Sequence, residues 1–358
     1  MTRHDVLAGG AKSLLVGSIA LVLGVCPGSP GRSFAEGMRY IRVATLVPRD
    51  SDLARSFLKL DRALRDVSNN AWGLRLYPGG VAGDEPDVMR KMKVGQMDAS
   101  IITTTGLSHI VKEIAVLDSP GVVRTYAQLD AVTAALAPEW TRAFASQGFK
   151  LVGWSEAGQY RWFSKTAIRR PADLRDTRPW LWPASFILKE IYRVIGCNGV
   201  PLGVPEVYGA LQTGMVDAVI STASALVALQ WHSRLKHMTK DTFGVLINGL
   251  VMNQDKWNAL PADVAQRMQS EATKIMARER SETRRADVRS YDKLKQRGYV
   301  ADDWAPGGYQ EYLTMEKEVR ARLVGRLYSS ELLSRVMKIA ASADSAQTAS
   351  AAAAHGPS

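Results

Sequence analysis

The sequence predicts an α/β protein of two similarly built lobes, finished by long helices. Three observations predict it. The chain after residue 38 opens as strand, helix, strand; a helix–strand unit of the first half recurs in the second; and from about residue 255 the pattern turns long, charged and helical. The length of 358 residues suits more than one domain, and 46% hydrophobic content with mixed charges allows a sizeable core and excludes global disorder.

The first residues read as an export signal. Arg3 and His4 precede the apolar run Leu14–Val25, which is short for a membrane span and is ended by Pro27, Gly28 and Pro30. Ser33-Phe34-Ala35 offers small residues at the two positions a signal peptidase reads, so cleavage is expected before Glu36, with a lipid anchor at Cys26 as the minority alternative. The only cysteines are Cys26 and Cys197, so the cleaved chain has no intramolecular disulfide and no thiolate metal site, and Cys197 is expected to be a buried, inert thiol. Formal charge is +11, about +9 without the leader. The basic residues (Lys91, Lys93, Arg169, Arg170) are scattered without interleaved aromatics, which excludes nucleic acid as the partner.

Tyr40–Leu46 alternates as a strand, and Pro48 ends it. Ser51 or Asp52 then caps a helix whose apolar residues Leu53, Phe57, Leu60, Leu64 and Val67 share one face. Trp72–Tyr77 is the second strand, closed by Pro78-Gly79-Gly80; this is a βαβ start and implies a parallel sheet. Next comes the internal echo. Pro86-Asp87-Val88 leads through Met92 to Gly95 and Asp98-Ala99, and Pro205-Glu206-Val207 leads through Leu211 to Gly214 and Asp217-Ala218, all at one constant offset. In each copy proline opens a helix, an acid follows at its positive end, and glycine closes it in a left-handed cap before a short apolar strand. Asp98 and Asp217 are expected to satisfy turn amides.

The spacing further predicts a short strand at Trp180-Leu181-Trp182, a helix over 185–195 ended by Gly196, a strand at Val200–Leu202, and helices over about 255–295 and 308–341 separated by Pro306-Gly307-Gly308. The expected division is a signal peptide over 1–35, a first lobe over 36–162, a second over 163–250, a return segment with bridging helices over 251–341, and an Ala/Ser-rich disordered tail over 342–358.

No nucleophile elbow, zinc-binding His-Glu-x-x-His helix or phosphate-binding glycine loop is present, which argues against an enzyme, and neither metal nor cofactor is expected. His4 and His355 fall in the leader and tail, His232 and His237 flank a basic stretch and read as surface residues, and His109 follows a loop as a weak site candidate.

The stretch Pro171-Ala172-Asp173-Leu174-Arg175, then Gly196–Pro201, then Val204–Ala218 with its core Glu206-Val207-Tyr208-Gly209-Ala210-Leu211-Gln212-Thr213-Gly214-Met215-Val216-Asp217 resembles the DctP-type solute-binding subunits of TRAP transporters. Lys256–Pro261 matches that family's return segment and Leu76–Gly80 its first-lobe loop, so the likeness spans nearly all of residues 39–335. The resemblance implies a periplasmic-binding-protein-like fold whose lobes close on a small ligand, an organic acid in typical members, and deliver it in the periplasm to a sodium-coupled membrane permease. It also implies two arginines for the carboxylate. Arg161 matches the first, but Trp180 stands where the second is expected. An indole offers apolar area and one donor instead of a bidentate fork. Trp182 shares its strand face, and Arg178 is the one nearby arginine that could substitute. The segments Trp180–Trp182 and Ala228–His232 resemble the branch that works beside a tetratricopeptide-repeat lipoprotein and takes less polar ligands.

Ligands of parallel sheets sit beyond the carboxyl ends of strands. Those ends add Ser51, Thr103, Thr104, Thr105, Trp154, Tyr160, Ser221 and Thr222 to the candidates, with Trp231 as further aromatic surface and Tyr208 from the motif itself. Any of these hydroxyls could equally cap a following helix. The reading is a partly apolar organic ligand, walled by Trp180 and Trp182, with Arg161 for an acidic end. A ligand-sensing subunit for a signalling receptor and an enzyme on a binding-protein fold are the alternatives.

Overall fold

A computed structural model describes residues 37–354; the leader, the expected cleavage site, Cys26 and His355 lie outside the described residues. Strand β1 (Arg39–Thr45), helix α1 (Asp52–Val67) and strand β2 (Trp72–Tyr77) form the expected opening, with β1 and β2 parallel. Ser51 caps α1, its hydroxyl oxygen accepting the Ala54 N–H at 3.1 Å. Helix α2 (Glu85–Lys93) starts before Pro86, because Asp84 is its cap and Asp87 reaches back to the Asp84 N–H at 3.0 Å. Strand β3 (Ala99–Thr103) and the short α3 (Thr104–Ser108) follow, then a 3-10 turn at Lys112–Asp118 and α4 (Tyr126–Ser146).

Strand β4 (Phe149–Ser164) is 16 residues long, which at about 3.3 Å per residue is enough to pass from one lobe into the other. The expected division between residues 162 and 163 falls inside it. Beyond it come β5 (Trp180–Leu181), α5 (Phe186–Ile195), β6 (Val200–Pro201), α6 (Val207–Thr213), β7 (Ala218–Thr222), α7 (Ala223–Ala228), β8 (His237–Thr239) and β9 (Gly244–Asn253). The last third holds α8 (Gln254–Asn258), α9 (Ala262–Gln296), β10 (Val300–Asp302), α10 (Gly308–Leu323) and α11 (Ser330–Ala354).

One eight-stranded sheet runs in the order β10-β8-β4-β9-β3-β1-β2, with β7 also paired to β4. The amino-terminal part of β4 pairs with β9, which in turn pairs with β3; its carboxyl-terminal part pairs with β7 and β8. The β4–β9 register shifts between Leu151 and Gly153 and again between Glu156 and Gly158. At the second shift Gly158 adopts φ +109°, which suits glycine and few other residues. Helix α9 lies along this crossing, packed on α1, β4 and α7. One apolar core joins α1 and the start of α9 to the sheet through Ile41, Val43, Phe57, Leu60, Leu64, Leu250 and Met268. A second covers the other face and fills the second lobe, with Phe144, Trp162, Phe163, Tyr192 and Val219 among its residues.

The sequence echo is a structural one. Gly95 and Gly214 both sit in left-handed caps (φ +73° each), and β3–α3 and β7–α7 follow in matching places. The two aspartates do the same work in both copies, and it is not the turn-amide work expected. Asp98 accepts the Arg42 N–H at 2.8 Å and pairs with the Arg42 guanidinium; Asp217 accepts the Arg178 N–H at 2.6 Å and pairs with the Arg178 guanidinium. In each lobe the aspartate therefore joins one strand to the start of its neighbour.

Two expectations about the carboxyl-terminal third need correction. The stretch over 308–341 is two helices, α10 and α11, parted at Val324–Ser329 where Gly325 has φ +76°. The expected disordered tail is helical through Ala354. Alanine is the best helix former, and extending an established helix avoids the cost of nucleation. The helix is anchored on α4, where Val336 and Ala340 are buried and Asp344 accepts a bond from Gln128 Nε2 at 2.6 Å.

Two predictions follow from this frame. A Cβ on Gly158 would lie 2.7 Å from the Asp287 carboxylate, so Gly158→Ala is expected to cost about 1–3 kcal/mol from backbone strain alone, read as a lower urea midpoint. The second concerns buried acids. Burial raises Asp84, Glu156, Glu279, Asp287 and Glu316, and pushes Glu85 up to about 8 although Thr103 and Gly106 donate to it. Each such carboxyl holds its proton more tightly folded than unfolded. The native state therefore carries extra protons between the unfolded value near 4.5 and the folded one, and stability falls as pH rises through that window. Urea midpoints should be higher at pH 5.5 than at 8.5, and Glu85→Gln should flatten part of that slope.

Candidate functional site

The two lobes meet over a small cavity of about 10 Å³. The first lobe supplies Thr104, Thr105 and Ser108 from α3, with Ala115 and Asp118 from the 3-10 turn; the second supplies Ser185, Phe186 and Ile187 at the start of α5. Thr104 follows the carboxyl end of β3, where the sequence placed it. Its neighbour Thr103 does not line the cavity. It caps α3 by accepting the Thr105 N–H and donates from its own hydroxyl to Glu85 at 2.9 Å. Ser185 caps α5 by accepting the Leu188 N–H at 3.1 Å. The Tyr160 hydroxyl donates to the carbonyl oxygen of Asp118 at 3.2 Å.

Side-chain parity along β4 sends Arg161 the other way. Its Nη1 donates to the Thr239 and Lys240 carbonyls at 3.2 and 2.9 Å, and the guanidinium lies 4.4 Å from the Tyr291 ring on α9. Asp287 adds favourable charge, but burial still lowers the Arg161 pKa. Ser221 stands opposite Arg161 in the β4–β7 register and is buried. Arg178 is held by Asp217 and is 59% exposed in its side chain.

The three tryptophans form one cluster. Trp180 stacks on Trp182 at 5.9 Å and meets Trp231 edge-on at 5.3 Å. Trp180 Nε1 donates to the Leu202 carbonyl at 2.8 Å, and all three are at least 93% buried. Trp182 does more than pack. Its Nε1 donates across the lobe interface to Asp84 Oδ2 at 2.8 Å, and the Val204 N–H reaches the same oxygen at 3.3 Å. A second bond between the lobes joins His109 Nε2 to the Ala184 carbonyl at 2.9 Å, with the His109 ring 4.7 Å from Phe186. Gly80 comes up against Pro205 in the same interface. These contacts join the lobes through protein groups.

Trp154 and Tyr208 lie elsewhere. Trp154 packs edge-on to Phe144 at 6.3 Å, and Tyr208 is 44% exposed on α6. Sequence reasoning missed Ser108, Asp118, Ser185 and Asp84. Only Ser185 and Asp84 carried a signal, as polar residues directly before helices. Half-buried Cys197 has its thiol pushed up to about 11 by burial, which makes it inert as expected. Arg297 donates to His232 Nε2, and His237 pairs with Asp302.

Replacing Trp182 by Phe keeps the stacking and removes the donor to Asp84. A hydrogen bond to a charged acceptor contributes about 1.5–3 kcal/mol. Trp182→Phe is therefore expected to favour open lobes, seen as a larger radius of gyration in small-angle X-ray scattering; unchanged scattering would show that the bond does not hold them.

The model of bacterial extracellular solute-binding protein, family 7, matches residues 43–319. Among similar proteins is a C4-dicarboxylate-binding periplasmic protein of Rhodobacter capsulatus, 24% identical over 63% of this chain and 68% of that one. Another is an ectoine/5-hydroxyectoine-binding periplasmic protein of Ruegeria pomeroyi, 22% identical over 57% of this chain and 61% of that one. Among solved structures, a TRAP periplasmic solute-binding protein of Xanthobacter autotrophicus with bound β-D-galacturonate superposes with TM-score 0.76 at 17% identity, covering 85% of this chain and 99% of that one. One of Desulfovibrio salexigens with bound orotic acid has the same score, identity and coverage. Among the described residues no helix is long and apolar enough to cross a membrane. The chain belongs to the bacterial extracellular solute-binding proteins of family 7, the DctP-type binding subunits of TRAP transporters.

Proposed function

We propose that the chain captures a small, partly apolar organic molecule between its lobes in the periplasm and delivers it to the membrane permease of a TRAP transporter. The observation that carries this reading is the cavity between the lobes, with Thr104, Thr105, Ser108 and Ser185 offering hydroxyls and Ala115, Phe186 and Ile187 offering apolar surface. A few convergent polar groups in an otherwise apolar cleft are the usual form of a small-molecule site. The cavity of about 10 Å³ has room for about one water, so an organic ligand needs the lobes further apart.

Relatives in this family carry acids such as galacturonate and orotate. Here the expected acid-binding arginine, Arg161, is engaged with Thr239, Lys240 and Tyr291, which supports a ligand held without an arginine fork. Trp180 and Trp182 support the site from behind by packing and by the bond to Asp84. The absence of enzymatic turnover is part of the proposal and rests on the family. A tetratricopeptide-repeat lipoprotein as an additional partner rests on the sequence of residues 180–182 and 228–232 alone.

Native mass spectrometry of the exported protein should reveal a co-purifying small organic compound. Thr104→Val removes one hydroxyl at nearly constant shape, and the loss of one hydrogen bond, about 1 kcal/mol, should weaken binding of that compound several-fold in thermal-shift titrations. Retention of no compound, or unchanged affinity in Thr104→Val, would overturn the reading.

A further inference from the structure

A groove of about 380 Å³ lies in the first lobe, where α1 and the loop before it meet the outer edge of β2. Its volume is within the usual range for a small-molecule site, and first-lobe residues alone line it. Arg49, Arg65 and Arg75 bring positive charge to it, and none of the described lining residues is acidic. Leu58 and Leu76 give it an apolar side, and Leu58 is 53% exposed.

Strand β2 ends the sheet, so every second residue of it turns its main-chain groups outward. Gly79, in line with Gly73, Arg75 and Tyr77, donates its N–H inward to the Val47 carbonyl at 2.8 Å, which leaves Trp72, Leu74, Leu76 and Pro78 facing out. Most of this edge is closed. Ser68 Oγ accepts the Trp72 N–H at 2.9 Å, Asp61 Oδ1 accepts the Leu74 N–H at 2.6 Å, and Pro78 has no N–H to give. The Leu76 N–H is left open, and Leu76 lines the groove. One open donor does not pair an added strand, which needs a row of them, but it does meet an oxygen of an anion. The arginines are unequal as well. Arg65 is spent, its Nε pairing with Asp61 at 2.8 Å and its guanidinium lying 5.8 Å from the Tyr40 ring. Arg75 has the Tyr77 ring at 5.7 Å, and neither it nor Arg49 has an ion pair among the described residues. Both are exposed.

We propose that this groove binds a phosphate monoester carrying a hydrocarbon chain, with Arg49, Arg75 and the Leu76 N–H on the phosphate and Leu58 against the chain. A phosphate monoester carries about −1.5 to −2 charges at neutral pH, which matches the unneutralised guanidinium groups of Arg49 and Arg75, whereas a carboxylate offsets only one of them. The planar fork of a guanidinium fits phosphate oxygens, and burying part of the chain on Leu58 adds apolar stabilisation. A free alkyl phosphate and the headgroup of phosphatidic acid offer this same chemistry. The site is separate from the space between the lobes, so it stands or falls independently of the cargo held there.

Calorimetric titration of the full exported chain at pH 8 with hexyl phosphate, hexanoate, hexanol and inorganic phosphate tests this. Hexyl phosphate should bind most tightly, by about fivefold or more over each of the others. Arg49→Gln and Arg75→Gln should each weaken it about fivefold or more, while Lys93→Gln, an exposed basic residue outside the groove, should leave it unchanged. Leu58→Asn should weaken hexyl phosphate and spare inorganic phosphate. No binding of hexyl phosphate, equal binding of hexanol or hexanoate, affinity that survives both arginine substitutions, or an equal loss in Lys93→Gln would overturn the proposal. Arg49 and Arg75 are exposed, so their replacement leaves the fold intact, and the ligand ranking of the unaltered chain decides in any case. Flotation with phosphatidylcholine vesicles, with and without phosphatidic acid, then separates the sources. Co-flotation that needs both phosphatidic acid and Arg49 assigns the lipid headgroup, and hexyl phosphate binding without co-flotation assigns the free ester.

Discussion

Asp287 holds the place where β4 passes from one lobe to the other. Its two carboxylate oxygens accept the Gln159 N–H at 3.0 Å and the Ser224 N–H at 3.2 Å, so one side chain of α9 fixes the crossing strand and the start of α7 together. The space for it exists because residue 158 has no side chain. Burial disfavours the charge, and nearby Arg161 offsets part of that cost. Asp287 thereby ties the crossing strand to the second lobe beside the contacts that Trp182 and His109 make between the lobes. A buried carboxylate receiving two main-chain donors is a stiff joint, because leaving either donor unpaired costs on the order of 1–3 kcal/mol.

Polarity is divided by the two faces of β4. The α9 face collects the charges: Arg161 and Asp287, then Glu156 bonded to Arg284, which also holds Asp130. The cavity face collects hydroxyls and aromatic rings. Strand parity, reset at the two register shifts, decides which group faces which side, and it places Arg161 near Asp287.

Much of this was legible in the sequence. The opening βαβ unit, the caps at Ser51, Ser185, Gly196 and Gly214, and the repeated helix–strand units follow from local chemistry that needs no knowledge of partners. The crossing strand was not legible as one element, because its two register shifts break the alternation on which strands are read. The same shifts made it impossible to know from spacing which way Arg161 points. Asp118 was invisible for a different reason: it ends a 3-10 turn with no motif, and only the fold brings the Tyr160 hydroxyl and the α5 start against it. The tail was misread because an alanine-rich stretch without an apolar face looks the same whether it is free or extends a helix already docked.

The bond from Trp182 to Asp84, with the one from His109 to Ala184, has a consequence for communication with the permease. In a binder whose lobes are bridged only by cargo, a closed outline tells the membrane partner that cargo is present. Here the chain adds bonds of its own to whatever the cargo contributes, so Trp182 and His109 must give up their partners when the lobes part, and the outline a permease meets reflects both sets of contacts.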